Sequence, residues 1–174
     1  IDFDADGDLD IYLALGRVFG FENPNRLFEN VGGGMFDDIS EGSGATDPRY
    51  WIGVAAADYD RDGGIDLVVG DWDVGYHVYQ NRRIRTGDWL SVRLIGGGAI
   101  NLDAVGTRVT AQLSDGRRLM REGIAGSGLG AGGDLALYFG LGAAYVDSLD
   151  VRWPDGTTET IVVSDTNTEL VISY

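Results

Sequence analysis

One nine-residue pattern, D-x-D-x-D-G-x-x-D, occurs twice in the chain, over residues 2–10 and 58–66. Carboxylates at alternate positions repel one another unless a hard cation lies between them, and Ca²⁺ takes about six to eight oxygen ligands. The glycine after the third aspartate suits the sharp bend that such a loop requires. The pattern therefore predicts two calcium loops and at least two Ca²⁺ ions per chain.

The candidate ligands occupy the same places in both loops. Positions 1, 3 and 5 would turn carboxylates inward, position 7 would offer its carbonyl oxygen, and position 9 would close the shell. In order, the candidates are Asp2, Asp4, Asp6, Asp8 and Asp10 in the first loop and Asp58, Asp60, Asp62, Gly64 and Asp66 in the second. A solvated acidic turn is the alternative, since Asp and Gly are ordinary turn residues. The recurrence of the pattern favours a metal.

The residues after each loop place it in a β protein. An EF-hand has a glutamate at position 12 and a helix on each side of the loop. Here position 12 is Leu13 or Val69, and the apolar runs 11–15 and 67–70 lack helical periodicity. With 28 glycines, 3 prolines and many short β-branched or aromatic runs, the composition also favours an all-β fold with tight turns. The chain of 174 residues is long enough for one large or two small domains.

Charge and residue usage exclude several classes of partner. The formal net charge is -15, from 28 acidic and 13 basic residues, so nucleic acid and anionic membranes are poor partners. No apolar run approaches the length of a membrane span, and we expect no membrane insertion. The chain has no cysteine, hence no disulfide framework or thiolate metal site. Loops of this kind suit extracellular calcium concentrations, which predicts a secreted or cell-surface location.

Segments beside the loops recur as well. Residues 25–30 read N-R-L-F-E-N and are echoed by Y-H-V-Y-Q-N at 76–81. Asp2 and Asp58 are separated by 56 positions, so residues 1–81 hold about one and a half copies of one repeat. These segments, with D-F-D-A-D-G-D-L-D-I at 2–11 and G-V-A-A-A-D-Y-D-R-D-G-G-I-D-L at 53–67, resemble FG-GAP/VCBS repeats. The resemblance implies blades of an extracellular β-propeller with calcium in the aspartate loops.

The second half resembles a different family. The segments W-L-S-V-R-L at 89–94, N-L-D-A-V-G-T-R-V at 101–109 and V-D-S-L-D-V-R-W-P-D-G at 146–156 are similar to the ASPIC/UnbV domain, which follows VCBS repeats in secreted bacterial proteins. From its own residues this half predicts a β-sandwich or barrel, with hairpin turns at 114–117 and 154–157. We therefore expect domains at 1–86 and 87–174, with the boundary near Arg85 to Asp88.

Signals for catalysis are weak, and we expect no enzyme. Residues 128–133 fit G-x-G-x-x-G, but the following residues predict a strand where a dinucleotide site needs a helix. Ser127 lacks the outer glycines of a nucleophile elbow. His77, the single histidine, falls within a predicted strand. The regular carboxylates are better explained by metal ligation than by glycoside hydrolysis.

Two assignments stay open. Asp71 and Asp73 follow the second loop and are either further ligands or solvated turn residues. The four tryptophans, at 51, 72, 89 and 153, form either aromatic core or a sugar-stacking platform.

The arrangement of repeats predicts association. Such repeats generally need neighbours to bury their apolar faces, and the first loop has no strand before it in this sequence. We expect a homo-oligomer in which strands or calcium ligands of one copy complete the next, as a filament, tube or ring, and residues 168–174 are a candidate donor strand. The alternative is a C-terminal fragment of a larger secreted β-propeller protein that binds an extracellular protein or carbohydrate.

Overall fold

The computed structural model describes residues 1–16, 23–82, 87–126, 128 and 131–174. All regular secondary structure in these ranges is β-strand, which confirms the predicted all-β class. The strands are β1 (Ile11–Leu13), β2 (Asn23–Pro24), β3 (Arg26–Asn30), β4 (Phe36–Asp38), β5 (Pro48–Arg49), β6 (Trp51–Ala57), β7 (Asp66–Asp71), β8 (Gly75–Tyr79), β9 (Asp88–Ile95), β10 (Arg108–Leu113), β11 (Arg118–Glu122), β12 (Leu137–Gly142), β13 (Val146–Arg152), β14 (Thr158–Val162) and β15 (Thr168–Ser173). Within the described ranges we find no helix with the length and apolarity that crossing a membrane takes.

The contact pattern divides the chain into two compact units. Unit 1 comprises Ile1–Phe3, Asp8–Arg83 and Gly126–Gly133, and unit 2 comprises Asp4–Gly7, Ile84–Ala125 and Asp134–Tyr174. Arg85 and Thr86 of the expected boundary lie outside the described ranges, and the domain limits stay a prediction.

Unit 1 contains the repeated strands. Two three-stranded antiparallel sheets have the orders β1-β3-β4 and β6-β7-β8, and β2 pairs with β5. Alternation along β7 turns Leu67 and Val69 to one side, where they form a buried cluster with Trp51. Tyr12 of β1 and Ala14, which follows β1, pack against this cluster. The core of unit 1 therefore lies where the two repeats meet.

Unit 2 is a β-sandwich, one of the two architectures that its sequence predicts. Its sheets have the orders β11-β10-β13-β14 and β12-β9-β15 and share one apolar core. The inward residues alternate with outward ones, as in Val109, Ala111 and Leu113 of β10, because successive side chains of a strand point to opposite faces. Both predicted hairpin turns are confirmed, with Gly116 and Gly156 in the left-handed region at φ of 87° and 93°.

The last strand is paired inside unit 2. β15 runs parallel to β9 from Thr168 opposite Leu90 to Ser173 opposite Ile95. The segment proposed as a donor strand thus already has one side in a sheet, and only its outer side is open to another strand.

Candidate metal centre

The two aspartate loops share their backbone conformation. Position 4 of each loop, Ala5 or Arg61, has a positive φ of 62° or 61° although neither is glycine. Position 6, Gly7 or Gly63, has φ of 102° or 87°. A left-handed conformation costs an L-residue about 1–2 kcal/mol, so the rest of the loop must hold position 4 in this shape. The same bend in both copies points to one shared function.

Each loop brings three carboxylates together, at positions 1, 3 and 9. One oxygen from each of Asp2, Asp4 and Asp10 lies within 4.8 Å of the others, and so do oxygens of Asp58, Asp60 and Asp66. Three hard anionic oxygens at this spacing suit a divalent cation such as Ca²⁺. These six of the predicted residues therefore form two matching groups able to hold a metal.

The remaining candidates lie outside these groups. Asp6, Asp8 and Asp62 are exposed, and Gly64 is buried. The Asp62 carboxylate accepts the Gly64 N–H at 2.8 Å, while the Asp62 N–H donates to Asp58 Oδ1 at 3.0 Å. Positions 5 and 7 thus shape the bend of the second loop, and their assignment as ligands stays a prediction.

Position 9 also ties each loop to the strand pair that follows it. In the first loop, Asp10 Oδ2 accepts the Phe3 N–H at 3.0 Å and Oδ1 accepts the Asn30 N–H at 2.9 Å. In the second, Asp66 Oδ2 accepts the Tyr59 N–H at 3.1 Å and Oδ1 accepts the Asn81 N–H at 2.7 Å. This matched pair of bonds holds the buried carboxylate in place.

Asn30 and Asn81 are residues that sequence reasoning missed. The Asn30 side chain donates to the Leu9 carbonyl at 3.2 Å, and the Asn81 side chain donates to the Phe3 carbonyl at 2.6 Å. The available signal was their shared place at the end of the recurring segments 25–30 and 76–81. Both asparagines support a loop from outside its nine residues.

Burial and mutual repulsion act on the carboxylates of the second loop. Burial raises the pKa of Asp58, the N–H groups of Gly63 and Asp62 oppose that rise, and the charges of Asp62 and Asp66 add to it. Burial likewise raises the pKa of Asp66, against the N–H groups of Asn81 and Tyr59. A cation among these oxygens would favour their ionised forms.

Asp71 has a structural role. Burial raises its pKa, but the N–H groups of Val74 and Asp73 outweigh burial and hold the pKa below its usual range. They donate to Asp71 Oδ1 at 3.0 and 2.8 Å and close the turn between β7 and β8. Neither Asp71 nor Asp73 belongs to a three-carboxylate group in the part of the chain that the structure describes.

Two of the four tryptophans and the single histidine make structural contacts. Trp51 and Trp153 are buried at 1% and 2% exposure, so neither offers a sugar-stacking surface. His77 packs edge-on against Trp51, with ring centroids 5.2 Å apart. Trp72 is exposed and lies 5.9 Å from the Tyr50 ring. Ser127, Leu129 and Gly130 of the glycine-rich stretch lie outside the described residues.

Comparisons with known proteins agree with both resemblances. Residues 2–69 match the family model described as FG-GAP-like repeat, and residues 97–174 match the one described as ASPIC and UnbV. Over 57 residues the chain is 44% identical to cartilage acidic protein 1 of Mus musculus and of Homo sapiens, and 42% identical to that of Xenopus tropicalis. The aligned part is 32% of this chain and 9% of each relative, so the chain spans only a small fraction of their length. Both predicted family assignments are confirmed.

Proposed function

Because the chain combines an FG-GAP-like repeat region with an ASPIC and UnbV domain, we propose that it is a calcium-binding, extracellular structural module. The observation that carries the proposal is the repeated group of three carboxylates at positions 1, 3 and 9. Two unrelated acidic turns would have no reason to share ligand positions, left-handed bends and supporting hydrogen bonds. At least two Ca²⁺ ions per chain follow from the two loops.

Calcium would act as a brace in this module. Asp2 and Asp10, or Asp58 and Asp66, lie at opposite ends of a loop and close together in space. A cation held between them offsets their repulsion and fixes the chain entering and leaving the bend. Binding the folded state alone would stabilise it by about 3–4 kcal/mol at calcium concentrations about 100 to 1,000 times the dissociation constant.

Calorimetric calcium titration of matched variants tests the proposal. Asp60→Ala removes a carboxylate of the second group, whereas Asp73→Ala removes an exposed acid outside it. We expect the wild type and Asp73→Ala to bind the same number of ions and Asp60→Ala to lose one. Equal binding by all three proteins would reject the second site. Asp6→Ala and Asp62→Ala then report whether position 5 supplies a ligand.

Self-association is the structural role that we propose for the module. In the described ranges, β8 pairs only with β7, and β4 pairs only with β3, so each three-stranded sheet has open edges. An open edge accepts a strand from another molecule. A second copy that completes strands or calcium sites would extend the assembly into a filament, tube or ring. Molar mass from light scattering, in calcium and after a chelator, tests this role.

A ligand-binding role is the alternative, as part of a larger secreted β-propeller protein. Its support is a cleft of about 710 Å³ in unit 1, lined by apolar residues such as Phe3, Leu27 and Ile65 and by polar residues such as Gln80 and Arg82. Its ligand would be an extracellular protein or a carbohydrate. A chain that stays monomeric with and without calcium would favour this role. We propose no catalytic activity, which hydrolase assays with and without metal would check.

A further inference from the structure

The β1–β3 pair of the first sheet of unit 1 and the β7–β8 pair of the second have the same register. When Asp10 is set against Asp66, each residue of β1 corresponds to one of β7, and the cross-strand partners correspond as well. The matched pairs are Ile11–Phe28 with Leu67–Tyr79, Tyr12–Leu27 with Val68–Val78, and Leu13–Arg26 with Val69–His77. Each face of the first sheet therefore corresponds to one face of the second. Face A carries Ile11 and Leu13 in the first sheet and Leu67 and Val69 in the second. Face B is the opposite side, which carries Tyr12 in the first sheet and Val68 in the second.

Inside unit 1, face B of the first sheet packs on face A of the second. Tyr12 and Ala14 contact the buried cluster that contains Leu67 and Val69. Leu67 and Val69 are only 6% and 0% exposed, and Leu27 of face B and Leu67 of face A also line the cleft of unit 1. One B-on-A contact is thus already formed within the chain.

The other two faces are exposed and carry apolar side chains, and face A of the first sheet also carries the ion pair between Arg26 and Asp38. On face A of the first sheet, Ile11 and Leu13 are 40% and 42% exposed, although their counterparts Leu67 and Val69 are buried. The edge strand β4 adds Phe36, paired with Asn30, to this face.

Face B of the second sheet is exposed around Gly70. Tyr76 lies opposite Gly70 across the β7–β8 pair and is 82% exposed. A Cβ built on Gly70 would lie 3.4 Å from Ile52 Cγ1 and 3.7 Å from Tyr76 Cε1, so both side chains cover this face. Ile52 is 43% exposed. Face A of the first sheet and face B of the second are thus exposed to solvent, although faces of the same two types pack on each other inside the chain.

We propose that face B of the second sheet in one copy packs on face A of the first sheet in another copy. The internal B-on-A contact supplies the argument that the two exposed faces fit one another, which is why a second copy of this chain is the occupant. The two faces differ, so the contact is heterologous and runs head to tail. The inference rests on the self-association proposed above and deepens it by naming the surfaces.

Charge opposes this contact and predicts how salt affects it. Each copy has a formal net charge of -15, so copies repel one another at low ionic strength. Apolar burial between the faces is insensitive to this screening or gains from added salt. Association through the two faces should therefore strengthen as sodium chloride is raised.

Blocking one face at a time tests the proposal. Leu13→Asp places a charge on face A, Tyr76→Asp places one on face B, and Val162→Asp is a control at an 82% exposed apolar residue of unit 2. At constant millimolar calcium, sedimentation should show association of the wild type and Val162→Asp, and monomers of each face variant alone. An equimolar mixture of Leu13→Asp and Tyr76→Asp should form a heterodimer and no larger species. Leu13→Asp keeps an unaltered face B, and Tyr76→Asp keeps an unaltered face A.

The outcomes separate this inference from the proposals on which it rests. Face variants that associate like the wild type, or a mixture that stays monomeric, would overturn the face assignment while self-association stands. A monomeric wild type at every concentration would overturn both. Circular dichroism checks folding, and Ile11→Asp with Ile52→Asp is a second pair if either first variant fails to fold. The calcium-binding proposal is tested separately, by the number of ions bound per chain, and does not depend on whether the chain associates.

Discussion

Asp66 accepts the backbone N–H of Asn81 at 2.7 Å, and the two residues are 15 positions apart in the chain. The other Asp66 oxygen accepts the Tyr59 N–H at 3.1 Å. Asp66 therefore joins the start of its loop to the end of the following hairpin before any cation is considered. Asp10 repeats this arrangement in the first loop.

Asp66→Ala should destabilise the protein even without calcium. The substitution leaves two backbone N–H groups without their charged acceptor, and hydrogen bonds to charged groups are worth about 1.5–3 kcal/mol each. We expect the free energy of unfolding, measured with urea in the presence of a chelator, to fall by about 2–3 kcal/mol. This is less than the sum of the two bonds, because removing the carboxylate also relieves the burial and repulsion that raise its pKa. Asp73→Ala is the control. A fall of less than about 0.5 kcal/mol, the usual size of a surface effect, would contradict this role of Asp66.

Arg61→Gly should stabilise the second loop. Arg61 has φ of 61°, a conformation that glycine adopts without a steric penalty. After the entropic cost of glycine, the expected gain in unfolding free energy is about 0.5–1 kcal/mol. Urea unfolding in chelator measures it, and Arg82→Gly, at an exposed arginine outside the left-handed region, is the control. If Arg61→Gly lowered the unfolding free energy as much as Arg82→Gly does, the backbone at Arg61 would not be strained.

Asp150 should contribute to acid unfolding of unit 2. Hydrogen bonds from the Gln112 amide at 2.7 Å and the Thr160 hydroxyl at 2.8 Å hold the pKa of Asp150 below its usual value of 3.8. Because the folded-state pKa is depressed, its contribution is present above pH 3.8 and is lost as the pH falls through the folded-state pKa. Unfolding free energy measured between about pH 2 and 5 should therefore depend less steeply on pH in Asp150→Asn. Gln112→Ala should reduce the slope partly, and an unchanged slope in both variants would contradict the assignment.

Phe139→Ala tests the core of unit 2. Phe139 is 1% exposed and lies among the apolar residues shared by the two sheets. Truncating a buried aromatic residue to alanine typically costs about 3–5 kcal/mol. Thermal unfolding should show that loss, whereas Tyr145→Ala, at a 59% exposed aromatic residue, should change little. Similar melting temperatures for both variants would place Phe139 outside the stabilising core.

The features that sequence analysis predicted are those encoded in contiguous residues. The aspartate pattern and the turns containing Gly116 and Gly156 each depend on neighbours in the chain. The all-β class and the meeting of positions 1, 3 and 9 in each loop followed from such local patterns.

The features that it missed depend on distant partners. Nothing near Asn81 indicates that its side chain reaches the Phe3 carbonyl, 78 positions earlier. The parallel pairing of β15 with β9 joins residues that are also 78 positions apart, and the apolar run 168–174 alone could not indicate its partner.

The number of calcium ions bound per chain is the most direct test of the central claim. Equilibrium dialysis of chelator-treated protein against millimolar calcium gives that number without reference to any partner or activity. The paired groups of Asp2, Asp4 and Asp10 and of Asp58, Asp60 and Asp66 predict two ions, together with a higher melting temperature in calcium than in chelator. Retention of no calcium, with the same melting temperature in both solutions, would contradict the account.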